Sequence, residues 1–161
     1  MADQFPNMME QSFDEAEIRR GVELLYFGYS HLTRAIDERL ATQGLGRAHH
    51  RALYFIARQP GLTVSELLKL LHVTKQSLGR VVNDLTERNL IDSQPGSVDR
   101  RQRLLSLTPA GARMEARLFA DLREKMLSAY GEAGTDSTDG FWRILEGLIP
   151  DEERERVIAL R

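Results

Sequence analysis

The chain has 161 residues, 42% hydrophobic and 29% charged, with a formal net charge of −2; this is enough apolar material for one compact domain with oligomerisation helices and argues against a disordered chain. It contains no cysteine, which excludes disulfides, thiolate-bound zinc and thiol redox switching. No apolar run approaches the ~18 residues needed to cross a bilayer, and Met1 to Glu10 lacks the basic-then-apolar pattern of a secretory signal, so the expectation is a cytoplasmic protein with no membrane partner.

Residues 1–12, with Pro6 among small polar neighbours, read as a flexible N-terminal arm. Ser12 and Glu15 have the spacing of a capping box and predict a helix start. Behind them Ile18, Val22, Leu25, Tyr29, Leu32 and Ile36 recur every three or four residues, a straight apolar stripe down a long helix. Leu24, Tyr26 and Phe27 widen that surface beyond a single core face, which suggests packing on a second chain. Gly44 and Gly46 end the pattern, and a second helix is expected from about Arg47 to Arg58, stopping before Pro60-Gly61. Thr63 and Glu66 form another capping box ahead of a short helix with Val64, Leu67, Leu68 and Leu71 on one side. Thr74 is the expected N-cap of a fourth helix that buries Leu78, Val81, Val82 and Leu85. Two short helices joined at His72-Val73-Thr74 make a helix-turn-helix.

From Ile91 to Leu107 the period changes to alternation. Arg101, Arg103, Leu105 and Leu107 are expected on one strand face, with Pro95-Gly96-Ser97 reversing the chain before them. This hairpin is a wing. Thr108-Pro109 starts a long polar helix to about Tyr130. Gly131, Gly134 and the polar run Thr135 to Asp139 then predict a break, and Phe141, Ile144, Leu145 and Leu148 mark a last helix stopped at Pro150. The fold class is therefore mainly α with a small β-wing, a winged helix-turn-helix flanked by N- and C-terminal helices.

Charge follows the same division. Residues 1–45 carry 4 Lys/Arg against 8 Asp/Glu, residues 46–111 carry 10 against 5, and residues 112–161 carry 8 against 11. A positive centre between acidic ends suits a module that meets phosphate locally while the flanks discourage nonspecific adhesion. The first turns of the second helix in a helix-turn-helix enter the major groove. Lys75, Gln76, Ser77 and Arg80 there can donate to and accept from base edges, a good bidentate contact discriminating by about 1–3 kcal/mol. The wing segment Asp99-Arg100-Arg101-Gln102-Arg103 supplies guanidinium groups for the negative potential of a narrow minor groove. Asp99 is expected to hold one of these arginines by a planar ion pair. A solvated helix face and an incidental charged turn are the competing readings of the same residues.

The run Asp99, Arg101, Leu105, Leu107 and Thr108 matches the D-x-R-x-x-x-L-x-L-T wing pattern of the MarR family of bacterial transcriptional regulators, and the flanking helices fall where that family has them. The resemblance covers about residues 13–150. The passage from Gly46-Arg47-Ala48-His49-His50 to Lys75-Gln76-Ser77 resembles the PetP-type branch of that family. The resemblance implies residues 13–45 as an N-terminal dimerisation helix, 46–108 as the winged helix-turn-helix DNA-binding domain and 109–161 as C-terminal dimerisation helices. It implies a homodimer on double-stranded DNA at an inverted-repeat operator, with base contacts from Lys75, Gln76, Ser77 and Arg80 beside the capping Thr74. It also implies Arg101 in the minor groove braced by Asp99, and phosphate contacts from Arg100 and Arg103.

Many members of the family release DNA when a small, often aromatic ligand binds between the dimer and DNA-binding regions, which here implies Tyr26, His49, His50, Tyr54 and Arg58. The His49-His50 pair suggests a metal, haem or anion site, but adjacent residues leave a helix on different sides and His31 and His72 share no ligand spacing with them, so a structural role is the expectation. No metal and no cofactor are expected. No Gly-rich phosphate loop, nucleophile elbow or metal-binding helix motif is present, so no enzymatic activity is expected. The alternative function is a winged-helix protein-interaction module without DNA, which would show apolar residues where Lys75, Arg80, Arg100 and Arg101 stand.

Overall fold

The computed structural model describes residues 13–160. The proposed arm, and Ser12 with its capping role, lie outside those residues. Helix α1 (Glu15–Ala41) is capped by a box two residues further on. The Asp14 carboxylate accepts from the Glu17 amide at 2.8 Å, and Glu17 accepts from the Asp14 amide at 2.9 Å, satisfying two of the amides a helix start leaves free. Then follow α2 (Arg47–Arg58), β1 (Leu62–Thr63), α3 (Val64–Leu71), α4 (Lys75–Glu87), β2 (Ile91–Pro95), β3 (Arg103–Leu107), α5 (Pro109–Ala133), α6 (Thr135–Gly147) and α7 (Asp151–Ile158). None of these helices is long and apolar enough to cross a membrane.

The chain divides into two compact units at Ala35/Ile36, inside α1. In the first, the apolar residues Ile18, Val22, Leu24, Leu25, Tyr26, Phe27 and Tyr29 are all exposed in the single chain. The second has its own core. Helix α2 packs against α3, α4, α5 and β3, and Leu53, Ile56, Leu67, Leu78, Leu85, Leu105 and Leu118 are almost fully buried, each worth about 1.5–3 kcal/mol relative to exposure.

Four features differ from the sequence expectation. The sheet has three antiparallel strands in the order β1-β3-β2, because the two-residue β1 pairs Leu62 with Leu105 and Thr63 with Leu104. Strand β3 begins at Arg103, paired with Pro95, so Arg101 sits in the hairpin loop and not on a strand face. Finally, Gly131 lies within α5, the chain turns only at Gly134, and Thr135 to Asp139 open α6. The run expected to be a loop is helical because Ser137 donates its hydroxyl to the Ala133 carbonyl at 2.9 Å, tying the new helix to the end of the old one. Helix α7, beyond Pro150, was not anticipated.

Candidate nucleic-acid interface

Helix α3 is held at its start by the expected capping box, Glu66 to the Thr63 amide at 2.8 Å and Thr63 Oγ1 from the Glu66 amide at 3.2 Å. The Thr63 hydroxyl, donating to the Glu66 carboxylate at 2.7 Å, and then the Thr63 amide keep the Glu66 carboxyl below its ordinary range. The turn passes through His72 in the left-handed region (φ 50°) to Thr74. Thr74 Oγ1 accepts from the Ser77 amide at 3.2 Å and donates to Ser77 Oγ at 2.9 Å. The cap therefore fixes the first turn of α4 and engages one of its proposed base-reading hydroxyls.

Helix α4 buries Leu78, Val81 and Leu85, while Lys75, Gln76, Ser77, Arg80 and Asn83 are exposed. Gln76, Arg80 and Asn83 stand at i, i+4 and i+7, one above another on a single face. Asn83 is the residue the sequence reading passed over. Its spacing from Gln76 and Arg80 is the signal that could have found it, about 10 Å of helix rise from Gln76. Lys75 and Arg80 make no ion pair with a carboxylate among the described residues. Arg39, Arg47, Arg88 and Arg154, by contrast, are each tied to one.

The far side of α4 is anchored by a chain of polar contacts. The Gly46 amide donates to His49 Nδ1 at 3.1 Å, which leaves the proton on Nε2 to donate to Asp84 Oδ2 at 3.0 Å. Arg88 donates to Asp84 Oδ1 at 2.8 Å and, through Nη1, to the Gln43 carbonyl at 2.7 Å. The Arg88 hydrogen bond, with the Arg88 charge and the His49 hydrogen bond behind it, holds the Asp84 carboxyl below its usual range. One face of α4 is thus locked to α2 and to the loop before it, and the other is free.

In the wing, the Gly96 amide donates to the Gln102 carbonyl at 2.9 Å and the Gln102 amide to the Asp99 carbonyl at 3.0 Å, closing the hairpin loop. Only glycine fits at 96, where a Cβ would lie 2.6 Å from the Asp99 carbonyl oxygen. Asp99 Oδ1 accepts from the Arg101 amide at 2.9 Å, whereas the Arg101 guanidinium is 3.7 Å away and 96% exposed. Asp99 thus shapes the turn through the backbone, and the expected planar ion pair is not formed. Arg100 is exposed. Arg103 lies along the sheet, donating to Ser93 Oγ at 3.0 Å and to the Ser93 carbonyl at 2.6 Å.

The residues proposed for a ligand fall in both units. Tyr26 belongs to the first unit. His49 is occupied by Asp84, and Arg58 donates to the Leu160 carbonyl. His50 stands 6.4 Å from Tyr54, ring to ring, and Tyr54 stands 6.2 Å from Phe119. Burial is the main reason the His50 pKa is lowered. No group of three or more His, Cys, Asp or Glu among the described residues is placed to hold a metal ion.

The MarR family model matches residues 43–102. The HTH-type transcriptional regulator PetP of Rhodobacter capsulatus is 40% identical over 147 residues, covering 91% of this chain and 89% of PetP. Among solved structures, MepR of S. aureus in its DNA-binding conformation superposes with a TM-score of 0.69 at 18% identity, over 79% of this chain and 95% of MepR. A mutant MarR from E. coli complexed with operator DNA superposes with a TM-score of 0.66 at 21% identity, over 86% of this chain and all of that one. At those identities the structural likeness speaks for the fold, which is the winged helix described above. With identity to PetP sustained along almost its whole length, the chain belongs to the MarR family of transcriptional regulators, DNA-binding proteins and not enzymes.

Proposed function

We propose that this regulator acts as a homodimer on an inverted-repeat operator, each subunit setting the first turns of α4 in the major groove and its wing in the adjoining minor groove. The observation that carries this reading is the character of the free face of α4. Lys75, Gln76, Arg80 and Asn83 are polar or cationic and exposed, whereas a protein-docking winged helix would present apolar residues there. Lys75, Gln76, Ser77 and Arg80 read base edges, with Thr74 and its cap setting their register. Arg101 enters the minor groove from a turn shaped by Asp99. Arg100 meets phosphate, and Arg103 shares its guanidinium between Ser93 and phosphate.

Dimerisation is assigned to residues 13–45 and 109–161. The exposed apolar residues of α1 and, separately, Phe141, Trp142, Ile144 and Leu148 in and just after α6 are each more than isolated exposed side chains explain. Two-fold symmetry then sets half-sites about one helical turn apart, ~10 bp centre to centre. Modulation by a small ligand is part of the same proposal, supported by the family resemblance.

The test is an operator found by footprinting DNA near the chain's own gene. Arg101→Ala is expected to weaken binding to it and to lower the slope of log affinity against log salt by about one. Unchanged affinity and slope would remove the wing from the interface. A sedimentation profile showing only monomer at micromolar concentration would remove the dimer.

A further inference from the structure

Helix α7 carries four carboxylates in its first five residues, and it turns back onto the DNA-binding module of its own chain. Both of its ends are attached there. In the first turn, Glu153 Oε2 stands 3.3 Å from His72 Nε2. His72 is the left-handed residue of the turn that leads through Thr74 into α4. Beyond the last turn, the Leu160 carbonyl accepts from Arg58, at the end of α2.

These attachments matter because α7 has little else to hold it. It is eight residues long, and helices shorter than about 12–15 residues are marginal in water on their own. None of its described side chains is fully buried. Its acidity is also poorly compensated. Of its two arginines, Arg154 is engaged within the helix's own approach, with Nη1 2.8 Å from Asp151 Oδ1 and Nη2 donating to the Ile149 carbonyl at 3.0 Å. Glu152 and Glu155 are exposed. His72 lies two residues before Thr74, at most about 7 Å of chain, which is within the ~8 Å over which charges act at physiological salt. The helix therefore brings negative charge to the edge of a surface otherwise built to meet phosphate.

We propose that α7 is an autoinhibitory strap. Docked through Glu153 and Leu160, it sets a carboxylate beside the turn that delivers α4 to DNA, and it lets go when phosphate takes its place at His72. The inhibition rests on the DNA-binding reading above, whereas the docking does not. Linkage makes the two effects reciprocal: the factor by which the strap weakens DNA binding is the factor by which DNA loosens the strap.

The test compares the full chain with Glu153→Gln and His72→Gln. Glu124→Gln is the control, losing the same charge roughly 23 Å along α5 from its start. Amide exchange over residues 151–158 reads the docking. Binding to a random duplex and to the footprinted operator, at ~50 mM and ~200 mM salt, reads the inhibition. Without DNA, Glu153→Gln and His72→Gln are each expected to speed exchange in α7. His72→Gln leaves the sequence of α7 intact, so its effect separates lost docking from lost support of the helix dipole. Glu153→Gln should bind both duplexes about threefold more tightly at the lower salt, with the gain shrinking at the higher, while Glu124→Gln binds like the parent. Saturating operator should speed α7 exchange in the parent by a similar factor. Exchange unchanged by His72→Gln would overturn the docking. Equal gains in affinity from Glu153→Gln and Glu124→Gln would reduce the effect to net charge and overturn the strap. Exchange in α7 that slows on the operator would overturn the release. If no variant binds any duplex while both still free α7, the DNA-binding reading falls and the inhibition with it, and the docked helix stands.

Discussion

Two helical segments of this chain carry the same kind of apolar pattern and meet opposite fates. Leu78, Val81 and Leu85 in α4 are buried in the single chain, whereas Val22, Leu25 and Tyr29 in α1, at the same spacing, are exposed. Periodicity says that a face requires cover, and it does not say what supplies it. In α4 the cover is α2, whose own buried residues meet it within one core. In α1 the cover is assigned to a second copy of the chain.

The sharpest way to break that contrast is to truncate one leucine from each region. Leu85 is fully buried, and Leu85→Ala is expected to cost about 2–5 kcal/mol, the transfer of its side chain plus the cavity left behind. The loss should be independent of protein concentration in urea unfolding. Leu25→Ala should act instead through association, appearing as a steeper dependence of the unfolding midpoint on concentration. Two losses with the same concentration dependence would erase the distinction.

Gly111→Ala is the next largest. Alanine in a helix interior is favoured over glycine by about 1 kcal/mol, but a Cβ here would lie 1.8 Å from the Leu90 carbonyl oxygen. Overpacking against backbone costs about 1–3 kcal/mol, so the clash wins and the variant should be less stable. A more stable variant would mean that α5 lifts from the Leu90 turn without penalty.

Local signals explain why so much of the reading head was legible in sequence. The Thr63-Glu66 box, the Thr74 cap and the Thr108-Pro109 start each depend on residues three or four apart, and each forms as expected. What was missed depends on distant partners. Strand β1 exists only because Leu62 and Thr63 find Leu105 and Leu104, and nothing in a two-residue run announces that pairing. Arg101 was placed on the strand because alternation extends back to it, but the hairpin is closed by Asp99 and Gln102 contacts that no period encodes. Helix membership alone groups Tyr26, His49, His50, Tyr54 and Arg58 in the sequence. The structure gives His49 to Asp84 and Arg58 to the Leu160 carbonyl.

Thr74→Ala tests the cap that joins the stable core to the free face of α4. Loss of an N-cap hydroxyl costs about 0.5–2 kcal/mol, and here it would release Ser77 as well. Thr74→Ser retains the oxygen and should recover most of that stability. If alanine and serine melt alike, the hydroxyl is not what fixes the first turn.

The smallest effect is a slope. His50 is partly buried, its Nε2 has no hydrogen-bond partner among the described residues, and burial lowers its pKa from 6.5, opposed by Asp37 and reinforced by Arg51. The unfolded chain then takes up the proton first as pH falls below 6.5, so the folded state loses stability from there down to the folded-state pKa. Above 6.5 the residue is neutral in both states and contributes no slope. His50→Gln should therefore flatten the decline in the urea midpoint between pH 6.5 and lower values while leaving the plateau above it parallel to that of the parent. The difference between the two curves isolates His50 from every group that the two proteins share. A difference that grows above pH 6.5 would mean that its imidazole is charged in the fold, held by Asp37 and not neutralised by burial.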